Sequence, residues 1–178
     1  MAHIDVFKSW ADTIRQDVEA FKALLESTKA DEKSRKLAGG ALQYLVSKMD
    51  LIPDWNEGIG MIDDVMVLRV AAQQAQDLGR GDLPASAEVS FERLSNEAEK
   101  IVAFLGGPIY DKLKAYVSKL GETAVRGRTA VQLMEDAAMR KTLYGELDEE
   151  LHKTVPIVIS DPADAELRLK AYLTHKLS

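Results

Sequence analysis

The sequence predicts an all-α protein, a multi-helix bundle with an N-terminal helical hairpin unit. Apolar residues recur at steps of three and four along most of the chain, Gly- and Pro-containing breaks separate those runs, and only Val155–Ile159 looks strand-like.

The first helix is read from Phe7, Ala11, Ile14, Val18, Phe21 and Leu25, which share one face, while Lys8, Asp12, Arg15, Glu19 and Lys22 share the other. Trp10 lies beside the apolar face and is expected in the core. Asp31 is the expected N-cap of a second helix carrying Leu37, Ala41, Tyr44 and Leu45. Gly39-Gly40 within it costs about 1 kcal/mol per Gly relative to Ala, which predicts close approach of another helix to the bare backbone. Pro53 ends that helix, because proline disfavours α geometry in the residue before it. A third helix follows from Ile59 to Leu78, ended by Gly79-Arg80-Gly81-Asp82, where Arg80-Gly81-Asp82 is read as a polar turn.

That Gly-rich break and Pro84 divide the chain into an N-terminal unit, 1–82, and a C-terminal helical extension, 83–178, expected to pack on it as one globule. Further helices are expected over Ala85–Leu105, from Pro108 to about Leu120, over Thr129–Tyr144 and over Glu146–Lys153. Val155–Ile159 is read as a buried extended linker. Asp161-Pro162-Ala163-Asp164 signals the start of the last helix, with an N-cap, a proline and acids in the first turn.

Composition limits the function classes. The 178 residues include no Cys, which excludes disulfides, thiolate metal sites and cysteine nucleophiles. With 23 basic and 29 acidic residues the net charge is −6, which argues against general nucleic-acid binding. No signal peptide or transmembrane segment is read, since the longest uncharged stretch, Leu37–Ser47, falls far short of the ~18 residues a span needs. A cytoplasmic location is expected. Peripheral membrane contact stays open, but no helix shows the basic face an anionic membrane favours.

Four carboxylates, Asp50, Asp54, Asp63 and Asp64, gather around the proline turn. In the architectural reading they cap helices, meet the positive helix end and pair with Arg69, Arg35 or Lys48. In the alternative reading they form a divalent metal site for Mg or Ca, with or without metal-dependent catalysis, because hard cations take several oxygen ligands. The spacing does not match an EF-hand loop. Trp55, between these acids, is either packed or a partner-binding anchor, since tryptophan is enriched at hot spots.

The strings Asp50-Leu51-Ile52-Pro53-Asp54 and Gly60-Met61-Ile62-Asp63-Asp64 resemble the YkvA-like family of uncharacterised bacterial domains. The match is strict over Ala41–Ala75 and looser upstream to about Ser27. Lys48 stands where that family usually has proline, and Asn56-Glu57 where it tends to have an apolar residue and proline. The resemblance implies an all-helical fold and no particular activity.

Other constellations exclude more than they propose. His3, His152 and His175 are too scattered for zinc or a triad, and no P-loop, G-x-S-x-G or G-x-G-x-x-G occurs. Arg126-Gly127-Arg128, with Lys119 nearby, is read as a solvated basic turn in preference to a phosphate site. Glu146, Asp148, Glu149 and Glu150 are read as a soluble helix face. No catalytic signature is present, so the reading favours a non-catalytic module that binds another protein or supports assembly over an enzyme.

Overall fold

The computed structural model describes residues 2–47, 51–52, 59–153 and 157–178. Among them the secondary structure is helical, with one isolated β-bridge, Val125–Arg128. Asp50, Asp54 and Trp55 lie outside the described residues.

The N-terminal periodicity folds as α1 (His3–Ser9) and α2 (Ile14–Glu26), joined by a 3₁₀ turn over Trp10–Thr13. Phe7, Trp10, Ile14, Val18, Phe21 and Leu25 are all buried, so one apolar face continues through the tightened turn. Asp31 caps α3 (Glu32–Val46), its carboxylate accepting from Lys33 N–H at 2.8 Å. Helix α4 (Ile62–Leu78) is buried almost continuously from Ile62 to Ala72, which makes it the central helix of the bundle. Helix α5 occupies Ala85–Leu105, as its periodicity predicts, and packs against α4 and α2. Helix α6 is Gly107–Ser118, with Pro108 in its first turn.

Two boundaries differ from expectation. The single helix read over Thr129–Tyr144 is interrupted at Asp136, giving α7 (Ala130–Glu135) and α8 (Ala137–His152). Asp136 adopts extended backbone and accepts from Ala138 and Met139 N–H, so a new cap wins over continuation. Helix α8 then absorbs the segment read as a separate helix from Glu146. The linker before α9 (Pro162–Leu177) is also less buried than expected: Ile157 and Ile159 are half-buried, and Val158 is 76% exposed. Asp161 caps α9 as predicted, accepting from Asp164 N–H at 3.2 Å.

One hydrophobic cluster runs from Ile4 to Leu173. It joins both sides of the Gly81-Asp82 break, where the Phe21 and Phe91 rings meet at 5.0 Å. The amino end is tied to the last helix, because Ile4 N–H donates to Glu166 Oε1 at 2.9 Å. No helix among the described residues is long and apolar enough to cross a membrane.

The Gly39-Gly40 expectation holds, with a helix at Gly39 and a turn at Gly40. A Cβ on Gly40 would lie 2.5 Å from the Gly121 nitrogen, in the 3₁₀ turn Leu120–Glu122, and one on Gly39 would lie 3.2 Å from Ala130 Cβ. Helix α7 makes the approach at Gly39 through Ala130, and the 3₁₀ backbone turn makes it at Gly40. Gly40→Ala is therefore expected to destabilise the protein by about 1–3 kcal/mol, because the backbone it meets cannot yield as a side chain would. Gly145→Ala, in α8 with no atom within 4 Å of the added methyl, is expected to stabilise by about 0.5–1 kcal/mol. Urea unfolding of the two variants checks the contrast.

Candidate functional site

The α3–α4 connection is built from residues that are polar yet inside. Asp63 and Asp64 occupy the first turn of α4, where the helix dipole favours negative charge. Asp63 is fully buried and Asp64 nearly so. The Tyr44 hydroxyl, from the last turns of α3, donates to Asp63 Oδ2 in a short hydrogen bond. The same hydroxyl oxygen accepts from Leu51 N–H at 2.8 Å. Ile52 N–H approaches Asp63 Oδ2 at 3.5 Å. One phenol thus bridges the end of α3, the chain beyond it and the start of α4, while Leu51, Ile52 and Ile59 are buried around it.

Burial, together with the nearby Asp63 and Asp64 charges, pushes the Tyr44 phenol well above its ordinary value of 10.0. It stays protonated at neutral pH, as a donor to Asp63 must, and serves poorly as a nucleophile or acid.

Arg69 and Arg35 turn to other partners than the aspartates expected for them. Arg35 Nε donates to Leu25 O at 3.0 Å. Arg69, fully buried in α4, lies 3.8 Å from Asp17 Oδ2 and 3.4 Å from Glu97 Oε1, with its guanidinium 4.1 Å above the Trp10 ring centroid. Arg93 of α5 closes the circuit, bonding Asp17 at 2.5 Å and Glu97 at 2.9 Å. Desolvation lowers Arg69 to about 10 and raises Asp17, although Arg93 and Arg69 oppose the latter shift. This four-charge cluster was missed in the sequence. The signal for it is Asp17, three residues after Ile14 and four before Phe21, on the core face of α2.

The Arg126 turn also departs from its reading. Arg128 is buried, pairing through both terminal nitrogens with Glu146, and Gln43 Nε2 donates to Arg128 O at 3.0 Å. Glu146, read as part of a soluble face, is half-buried, and the Arg128 and Arg126 guanidinium groups hold its carboxyl below the usual range. Among the described residues no group of three or more His, Cys, Asp or Glu is placed to hold a metal ion.

Residues 34–69, from α3 to Arg69, match a family model described as "Protein of unknown function (DUF1232)". The match covers Tyr44 and Asp63 and overlaps most of the segment that carries the resemblance. No curated protein and no solved structure matches the chain.

Tyr44→Phe strips the Asp63 carboxylate and Leu51 N–H of a buried partner. It is expected to cost about 1–3 kcal/mol, measured by urea unfolding. The folded chain holds the Tyr44 proton more tightly than the unfolded chain, so this contribution is complete below the ordinary tyrosine value of 10.0 and is lost as pH rises above it. The stability gap between wild type and Tyr44→Phe should therefore narrow above that pH. Arg69→Met leaves Asp17 buried beside one fewer cation and should cost about 3–5 kcal/mol, with the double variant Asp17→Leu/Arg69→Met recovering much of the loss.

Proposed function

We propose that the chain is a non-catalytic helical interaction module, in which the aspartate motif is a latch that fixes the α3–α4 end of the bundle. The observation that carries this reading is the fully buried Asp63 carboxylate accepting from Tyr44 while Tyr44 accepts from Leu51 N–H. Those bonds turn the motif's polar groups toward one another, which suits a shape-determining role better than a reactive one. On this reading the partner is another protein and Trp55, between α3 and α4 in sequence, is its anchor. Tryptophan offers a large, rigid contact with a polar edge.

Two measurements test it. Trp55→Ala should abolish capture of the partner that the wild-type chain retains from its native extract, with an unchanged melting temperature. A fall in melting temperature with capture intact would make Trp55 a packing residue and end its role as an anchor. The second reading, a Mg or Ca site using Asp50, Asp54, Asp63 and Asp64, draws on the adjacent buried carboxylates Asp63 and Asp64. The latch reading predicts that Mg²⁺, Ca²⁺ and Mn²⁺ leave the melting temperature unchanged. A metal-dependent rise abolished by Asp63→Asn or Asp64→Asn would replace the latch with a metal-binding function.

A further inference from the structure

A cleft of about 550 Å³ opens between α3, the end of α6 and the chain from Lys119 to Arg126. Its volume falls in the range that small-molecule sites occupy. Tyr116, half-buried, supplies an aromatic wall, and Tyr44, 2% exposed, packs edge-to-face behind it with ring centroids 6.3 Å apart. The Tyr44 hydroxyl is engaged by Asp63 and Leu51, so this residue backs the cleft with its ring. Among the described residues of the lining the charged ones are Lys119 and Arg126, although the whole chain carries a net charge of −6. Lys119 is exposed and has no salt-bridge partner among the described residues.

Arg126 is placed there against the local backbone preference. Residues 125–128 form a two-residue hairpin turn, closed by Val125 N–H to Arg128 O at 2.9 Å and Arg128 N–H to Val125 O at 3.0 Å. Arg126 and Gly127 take φ of 52° and 77°. Positive φ at both central positions favours Asn-Gly, and a long side chain there is strained. Such strain concentrates at functional positions.

Pairing with Glu146 does not account for the choice, because Arg128 already engages both oxygens of that carboxylate. Arg126 adds a second guanidinium at 2.5 Å, leaving two cations against one anion. It also donates to Val46 O at the end of α3, at 3.1 Å. These contacts leave donors to spare on a guanidinium, whose side chain is 42% exposed.

We propose that this cleft binds a small organic carboxylate with an apolar, preferably aromatic, body. Lys119 and Arg126 take the carboxylate, in the way Arg126 already takes Glu146, and the Tyr116 ring, backed by the buried Tyr44 ring, takes the body. The proposal does not depend on the protein-partner reading, which rests on Trp55.

The test is calorimetric titration of the full chain with phenylpropionate and octanoate, alongside phenylpropionamide and inorganic phosphate, while the tyrosine ring resonances are followed by NMR. Phenylpropionate is expected to bind saturably and to shift Tyr44 and Tyr116. The amide and phosphate should each bind at least about ten-fold more weakly, the loss expected for one charge-assisted contact or for the apolar body. Arg126→Asn keeps a residue the turn favours and removes the cation, and with Lys119→Gln it should weaken the carboxylate about ten-fold or more. Ala124→Trp, an exposed lining residue enlarged into the cleft, should abolish binding in a folded protein. Equal affinity for carboxylate and amide, equal affinity for phosphate, or no saturable shift with either carboxylate up to about 5 mM would overturn the proposal.

Discussion

Helix α4 is enclosed by α3, α5, α6 and the N-terminal helices, and that enclosure dictates where charge can sit. A helix buried all round is ordinarily apolar, because an unpaired charge in the interior costs far more than any one contact returns. Here α4 carries Asp63 near its start and Arg69 at its middle, so each must find its partners inside. Asp63 meets Tyr44 of α3, and Arg69 meets Asp17 of α2 and Glu97 of α5. These constraints fix register. Sliding α4 by one turn, about 5.4 Å, would strip both charges of their partners at once. Burial lowers Arg69 and raises Asp17, while Asp17 and Glu97 raise Arg93, so desolvation and pairing oppose each other within the cluster.

The neighbouring helix, α3, solves a different packing problem. Its Gly40 admits the backbone of Leu120 and Gly121, and Gly121 in turn packs so near Lys36 that an added Cβ would sit 3.0 Å from the Lys36 carbonyl oxygen. Backbone-to-backbone contact of this kind holds the 3₁₀ turn and the segment after it against α3. It also sets the hairpin turn at Val125–Arg128 beside the last turns of α3, where Arg126 reaches Val46 O. The cleft follows from that placement: Tyr44 backs it because α3 passes there, and Lys119 and Arg126 line it because the bare glycine lets their segment come close.

Much of this architecture was legible in the residues. The 3.6-residue periodicity located α2, α3 and α5, and Asp31 and Asp161 capped the helices their side chains suit. Gly39-Gly40 announced a close approach, though not that a turn would make it at Gly40. Asp136 was passed over because apolar spacing continues across it, whereas a capping carboxylate decides locally. Asp17 and Arg69 were harder still. Their charge suggests surface, and only their position among core residues reveals that they meet inside. Arg128 and Glu146 failed for the same reason, since a basic turn and an acidic helix run read as solvated until the fold brings them together. Of the candidate site, Asp63 and Asp64 were correctly placed at the start of α4, but Tyr44 entered only as an apolar-face residue. Its hydroxyl role depends on Leu51 and Asp63 converging on one oxygen, which no spacing rule contains.

The two functional proposals divide along the same physical line. A carboxylate that accepts from a buried phenol holds a shape, and a phenol whose acidity burial and nearby carboxylates suppress holds its proton through any ordinary pH. The groups of the matched segment thus reinforce one another, and their value lies in keeping α3 and α4 in register. Recognition needs the opposite condition: charge that its neighbours do not neutralise, at a surface a ligand can reach. In the C-terminal half Lys119 meets that condition among the described residues, and Arg126, on a turn whose backbone would favour asparagine, shares its one carboxylate partner with Arg128. In this division of labour the matched segment supplies the rigid backing and the connection after α6 supplies the charge, so exchanging the cations should alter what the cleft accepts without disturbing the latch beside it.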